Sequence, residues 1–120
     1  MQFSTLLVSA LAAATAVVAA PMEKRAGGNG DATYFYQNGN PGSCGNYNSD
    51  DAVIVAVNSA QMNSGLCGKP IWIQHDGKTI EATIQDTCPT CDGNSLDLSV
   101  GAFKQLSGLD AGMIPINWWT

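Results

Sequence analysis

The stretch Gln85-Asp86-Thr87-Cys88-Pro89-Thr90-Cys91, followed after three residues by Ser95-Leu96-Asp97-Leu98-Ser99, decides how the chain is read. It sets two carboxylates, Asp86 and Asp97, on either side of a turn stiffened by a proline and two cysteines. Acids held in a short, rigid, crowded segment are where acid chemistry or polar ligand recognition is built. Just upstream, Thr79, Glu81, Thr83 and Gln85 alternate with Ile80, Ala82 and Ile84, the period of a strand with one apolar face. Continued without a break, that phase carries Asp86 onto the apolar side. The Asp76-Gly77 pair between residues 71–75 and 78–85 is a two-residue hairpin signal.

Working outward, residues 31–36 form a strand rich in aromatic and β-branched side chains, and Asn38-Gly39-Asn40-Pro41-Gly42 forces a loop. Residues 52–57 are a continuous apolar run bounded by Asp50-Asp51 and Asn58-Ser59, as in a strand buried on both faces. A short helical turn follows over 59–62. Residues 99–107 read as a short helix with Ser99 as N-cap, Gly108 just past its end, and Ala102, Phe103 and Leu106 on one face. In residues 113–119, Ile114, Ile116 and Trp118 share one phase, which makes Trp118 core, while Asn117 and Trp119 take the other. Short strands, one or two short helices and Gly-rich turns predict an all-β chain closed into a small barrel.

The first 25 residues read as processing signals. The apolar run 6–20, broken only by Ser9 and Thr15, is too short to span a bilayer and ends in small residues. It predicts a secretory signal over 1–19, despite the missing positive n-region. A pro-segment over 20–25 then ends in Lys24-Arg25, a dibasic site resembling the kexin-type sites of fungal secreted proproteins. The mature chain would be residues 26–120, a single domain small enough for disulfides to matter. It keeps three lysines against nine acids, so its formal charge is 3 − 9 = −6. With no basic patch, nucleic acid and anionic membranes are excluded as partners; neutral polymers and cationic surfaces stay open.

Four cysteines, Cys44, Cys67, Cys88 and Cys91, in a secreted chain predict two disulfides. All three pairings are open on sequence; Cys44–Cys91 with Cys67–Cys88 is the one we expect. A redox reading of Cys88-x-x-Cys91 lacks its βαβ context. A zinc site lacks a second cysteine pair, and His75 is the only histidine, so no metal and no cofactor is expected. His75 itself is expected to be exposed or hydrogen-bonded in its hairpin, and Asp50-Asp51 to be a solvated loop. Tyr34, Tyr36, Trp72 and Trp119 are candidates for a platform on which sugar rings stack, packing being the competing role.

In order along the chain, Ala32-Thr33-Tyr34, Ser43-Cys44-Gly45, Cys67-Gly68, Gln85-Asp86-Thr87-Cys88-Pro89 and Leu96-Asp97-Leu98-Ser99 resemble the double-psi β-barrel family. Its members include expansin domains, family 45 endoglucanases, barwin, RlpA-type lytic transglycosylases and small fungal loosenins, with a small secreted cysteine-protease inhibitor of the same fold. The resemblance spans essentially all of 26–120 and implies a six-stranded barrel stapled by disulfides. It makes Thr33, Asp86 and Asp97 groove residues, with Asp97 at the position of the aspartate that expansins need for wall loosening. Against that role, Asp97 would be a turn residue or a helix cap, and Asp86 a carboxylate that only holds its turn. Three departures matter: Cys88 stands where expansins have tyrosine, Phe35 lacks a hydroxyl, and Tyr36-Gln37-Asn38 offers no family 45 catalytic base. Glycoside hydrolysis ordinarily needs two carboxylates across the scissile bond. The resemblance therefore implies a secreted, monomeric, non-hydrolytic protein that binds and loosens wall polysaccharide of the cellulose or chitin class. The alternatives are inhibition of a secreted cysteine protease, and lytic transglycosylase or weak endoglucanase activity.

Overall fold

The structure is a computed structural model that describes residues 27–120; the expected signal, pro-segment and Lys24-Arg25 processing site lie outside the described residues. Six strands form the molecule: β1 (Gly27–Phe35), β2 (Ile54–Asn58), β3 (Pro70–His75), β4 (Lys78–Cys88), β5 (Leu96–Ser99) and β6 (Ile114–Trp119). They close into a barrel in the order β1-β5-β2-β4-β3-β6. Two pairs, β1 with β5 and β2 with β4, run parallel, and the remaining pairs run antiparallel. This is the all-β, six-stranded architecture expected.

The barrel is filled by alternate residues of each strand. Val55, Val57, Ile71, Ile73, Ile84, Leu96, Leu98, Ile114, Ile116 and Trp118 all point into one cluster. Burying each such side chain contributes roughly 1.5–3 kcal/mol. Trp118 is 1 % exposed, and its indole N–H donates to the Asn94 carbonyl at 2.6 Å. The helix is shorter than expected, α1 (Val100–Phe103), and Ser99 does cap it. The Ser99 hydroxyl accepts from Ala102 N and Ile54 N and donates to the Ala52 carbonyl, tying the helix start to the entrance of β2. The expected helical turn over 59–62 is hydrogen-bonded turn, with a 3-10 helix just beyond it at Ser64–Leu66. At the β3–β4 hairpin, Asp76 and Gly77 both have positive φ, 49° and 83°. That is the pair of conformations a type I′ turn requires.

Two expectations fail, each for a local reason. The disulfides are Cys44–Cys67 and Cys88–Cys91, not Cys44–Cys91 with Cys67–Cys88. Cys44 N donates to the Gln85 carbonyl and Gly68 N to the Ile84 carbonyl. Both loops are therefore laid on consecutive residues of β4, which brings Cys44 and Cys67 together. Cys88 and Cys91 face each other across the Pro89-Thr90 turn, with Cα atoms 5.4 Å apart. The second failure is the phase of Asp86. Val55 pairs with Ile84 but Ala56 pairs with Asp86, so Gln85 is an extra residue, a β-bulge. The bulge resets the alternation and turns Asp86 away from the barrel interior.

Candidate functional site

The bulge has a direct consequence for the acids. Thr33 of β1 is paired with Asp97 of β5, Asp97 with Ala56 of β2, and Ala56 with Asp86 of β4. Residues paired across adjacent strands share a face. Thr33, Asp97, Ala56 and Asp86 thus form one row across four strands on the outward-facing side of the sheet, with Ala56 itself buried. Ala56 puts only a methyl group between the two acids, whose Cα atoms stand two strand spacings, about 9.5 Å, apart.

The two carboxylates are held differently. Asp97 is half-buried and accepts the Thr33 hydroxyl at 2.9 Å. Burial pushes its pKa above the ordinary value of 3.8; the Thr33 bond opposes that shift and the nearby charge of Asp86 adds to it. Asp86 instead accepts two backbone N–H groups on one oxygen, Ser43 N at 2.8 Å and Thr87 N at 2.7 Å. Those bonds fix the loop that carries Cys44. The loop comes this close because residue 42 is glycine: a Cβ there would lie 2.4 Å from the Gln85 carbonyl oxygen and 3.1 Å from the Asp86 side chain. Chemically, Asp97 can donate or accept a proton above the usual carboxylate range, while Asp86 is a carboxylate held in place by the backbone.

Clefts flank the row at both ends. A cleft of about 300 Å³ lies at the Thr33–Asp97 end, walled by Met113, Asp31, Asp92 and the Cys88–Cys91 disulfide. A shallower one of about 230 Å³ lies beyond Asp86, where Ser43 Oγ and Thr87 Oγ1 share a hydrogen bond of 2.7 Å. Among the described residues, no group of three or more His, Cys, Asp or Glu side chains is set to hold a metal ion. No helix among them is long and apolar enough to cross a membrane.

Of the residues expected at a site, the fold brings Thr33, Asp97 and Asp86 together and leaves the aromatics elsewhere. Tyr34 follows Thr33 in the opposite phase and packs edge-on against Phe103 at 4.9 Å. Tyr36 is 52 % exposed, beyond the end of β1. Trp72 and Trp119 are register partners on β3 and β6, on the far side of the closed barrel from β5 and β2. His75 donates through Nδ1 to the Pro115 carbonyl at 2.8 Å. Asp50 is no solvated loop residue: its carboxylate accepts from Gln37 N at 2.6 Å and its carbonyl from Gly101 N. Sequence reading misses Ala56, Gly42, Ser43 and Met113. Ala56 sits unmarked inside an apolar run, and only the register of β2 against β4 and β5 reveals it. Gly42 reads in sequence as a turn residue, whereas its role is close approach.

These features agree with what the chain is similar to. The family model DPBB_1, described as lytic transglycolase, matches residues 28–118. The papain inhibitor of Streptomyces mobaraensis is 34% identical over 98 residues, covering 74% of this chain and 68% of the inhibitor. An EG45-like domain containing protein of Citrus jambhiri is 31% identical over 102 residues, covering 74% of this chain and 78% of that protein. Among solved structures, the Streptomyces papain inhibitor superposes with a TM-score of 0.69 at 28% identity, over 81% of this chain and 93% of the inhibitor. A mutant Clavibacter michiganensis expansin in complex with cellohexaose gives a TM-score of 0.69 at 27% identity, over 78% of this chain but only 49% of the expansin. By the family match, the parallel strand pairs and the closed six-stranded order, the chain belongs to the RlpA-like double-psi β-barrel family.

Proposed function

We propose that the protein is secreted and binds a cell-wall polysaccharide along the Thr33–Asp97–Ala56–Asp86 row, loosening chain–chain contacts without cleaving them. The observation that carries this reading is the inequality of the two acids. Asp97 faces a cleft with one oxygen bonded to Thr33, while Asp86 has one oxygen committed to two backbone N–H groups. A hydrolase of the ordinary two-carboxylate kind needs both acids free to act on the bond or on water. A binding groove needs only fixed acceptors for sugar hydroxyls, and the row supplies two. The expansin solved with cellohexaose is a relative whose ligand supports the sugar class.

The test is sedimentation of the purified protein with insoluble cellulose, chitin and peptidoglycan, reducing ends being measured in the same tubes. Binding that falls in Asp97→Asn, with no new reducing ends from the unchanged protein, is the expected outcome. Binding unchanged in Asp97→Asn removes the role proposed for the row. Reducing ends whose release stops in that variant turn the reading into a single-acid lytic enzyme.

A second reading is supported by the papain inhibitor, 93% of whose structure superposes on this chain. Under it the exposed loops block a secreted cysteine protease. Titration of papain with the protein decides this: no loss of activity at micromolar concentrations discards it.

A further inference from the structure

The opposite side of the barrel carries a different chemistry. In the ring β1-β5-β2-β4-β3-β6, β6 lies three strands from β2 in either direction. On the outer face there, Gln74 of β3 pairs with Asn117 of β6, and Asn117 pairs with Asn29 of β1. All three are exposed, and none of their side-chain amides has a hydrogen-bond partner among the described residues. The result is a ladder of three primary amides at strand spacing, about 4.8 Å apart. It forms the floor of a cleft of about 420 Å³, larger than either cleft beside the acid row. One row along, about 6.7 Å away by strand geometry, Trp72 and Trp119 stand directly opposite each other, both half-exposed. Gly27, the partner of Trp119 on β1, has no side chain to cover it.

We propose that this face is a second carbohydrate site, separate from the acid row, that takes a neutral sugar chain. Each amide offers two N–H donors and a carbonyl acceptor, the pairing that vicinal hydroxyls of a pyranose need. The spacing of the ladder is close to the length of one pyranose unit, so successive amides meet successive rings. The two indoles continue the face with flat apolar area and a polar edge suited to stacking a ring. Charge complementarity separates this occupant from others. In a molecule with nine acids and three lysines among residues 27–120, the amides and indoles themselves are uncharged, with Asp76 in the lining of the cleft and Glu81 beside the indoles as the β4 partner of Trp72. The ring of His75 at the cleft edge is bound to the Pro115 carbonyl. Those two acids repel a phosphate backbone, whereas an uncharged, hydroxyl-rich chain meets the uncharged amides and indoles and needs no countercharge. With one site on each side of the barrel, a single molecule would hold two polysaccharide chains at once.

The experiment is titration of the 15N-labelled protein with cellohexaose and, separately, with N-acetylchitohexaose, following side-chain N–H resonances. Expected are saturable shifts of the Gln74, Asn117 and Asn29 amide groups and the Trp119 indole with at least one hexaose. They persist in Asp97→Asn, which tests the acid row independently. In the triple variant Gln74→Ala/Asn117→Ala/Asn29→Ala, made in the Asp97→Asn background, affinity falls at least tenfold. Absence of shifts at these groups with both hexaoses overturns the proposal, as does undiminished affinity in the triple variant. The three positions are exposed, so dispersion of the backbone spectrum certifies that each variant is folded.

Discussion

At the residue scale, the site turns on one carboxyl whose environment disfavours its charge. Burial raises the Asp97 pKa above 3.8 in the folded protein, while the unfolded chain keeps the ordinary value. The folded state therefore binds more protons between those two values, and stability falls as pH rises through that window. The variant Asp97→Asn keeps a side-chain oxygen for the Thr33 hydroxyl and loses the titration. Its melting temperature relative to wild type is thus expected to climb from about pH 3.8 upward and level off above the folded pKa. A difference independent of pH, or one of opposite sign, contradicts the burial argument; thermal unfolding of both proteins between pH 3 and 7 reads it. How much of this is legible in sequence differs between the two acids. Asp97 is identifiable from its motif, but its partner Thr33 lies 64 positions away, and only the family resemblance joins them. Alternation puts Asp86 on the wrong face because it is a local rule, and the bulge at Gln85 is dictated by a partner strand and by the loop on its carbonyl.

At the element scale, the two disulfides have different tasks. Cys44–Cys67 closes 23 positions and Cys88–Cys91 only 3. In the chain-entropy account, such loops stabilise by roughly 3.5 and roughly 2 kcal/mol respectively. Replacing Cys44 and Cys67 by alanine should therefore lower the melting temperature more than replacing Cys88 and Cys91. The second pair should register more strongly in ligand binding, because it walls the cleft beside Asp97. Calorimetry of both double variants, with polysaccharide sedimentation alongside, checks the order; a reversed ranking in stability refutes it. The elements with strong local signals are the ones sequence delivers. The β3–β4 hairpin announces itself through Asp76-Gly77, β2 through its apolar run, and β6 through the phase of Ile114, Ile116 and Trp118. β5 escapes delineation as a strand: four residues, Leu96–Ser99, alternate too briefly, and its identity comes from the neighbours it pairs with on both sides. The disulfide pairing is likewise beyond local reading, being set by how two loops lie on β4.

At the scale of the whole molecule, β1 is held by the last two strands. It pairs with β6 over Gly27–Ala32 and with β5 over Ala32–Phe35. Removing residues 113–120 would leave the adjoining edges of β1 and β3 without their ladders and take Ile114, Ile116 and Trp118 from the core. Such a chain is expected to show no cooperative thermal transition by circular dichroism; a sharp transition near that of the intact protein would show that the barrel tolerates an open seam. The same seam has another meaning. Gly27 and Trp119 are register partners, so the first described residue and the end of the last strand leave the barrel side by side. The spatial order of strands is therefore nearly indifferent to where along the chain synthesis begins. A short linker joining these ends, with new ends opened at the exposed Asp76-Gly77 turn, would give a circular permutant with every strand pairing retained. It follows too that a carrier, bead or fusion partner joined at Gly27 or just after Trp119 sits on the Trp119 side, three strands from β2, and presents the acid row outward.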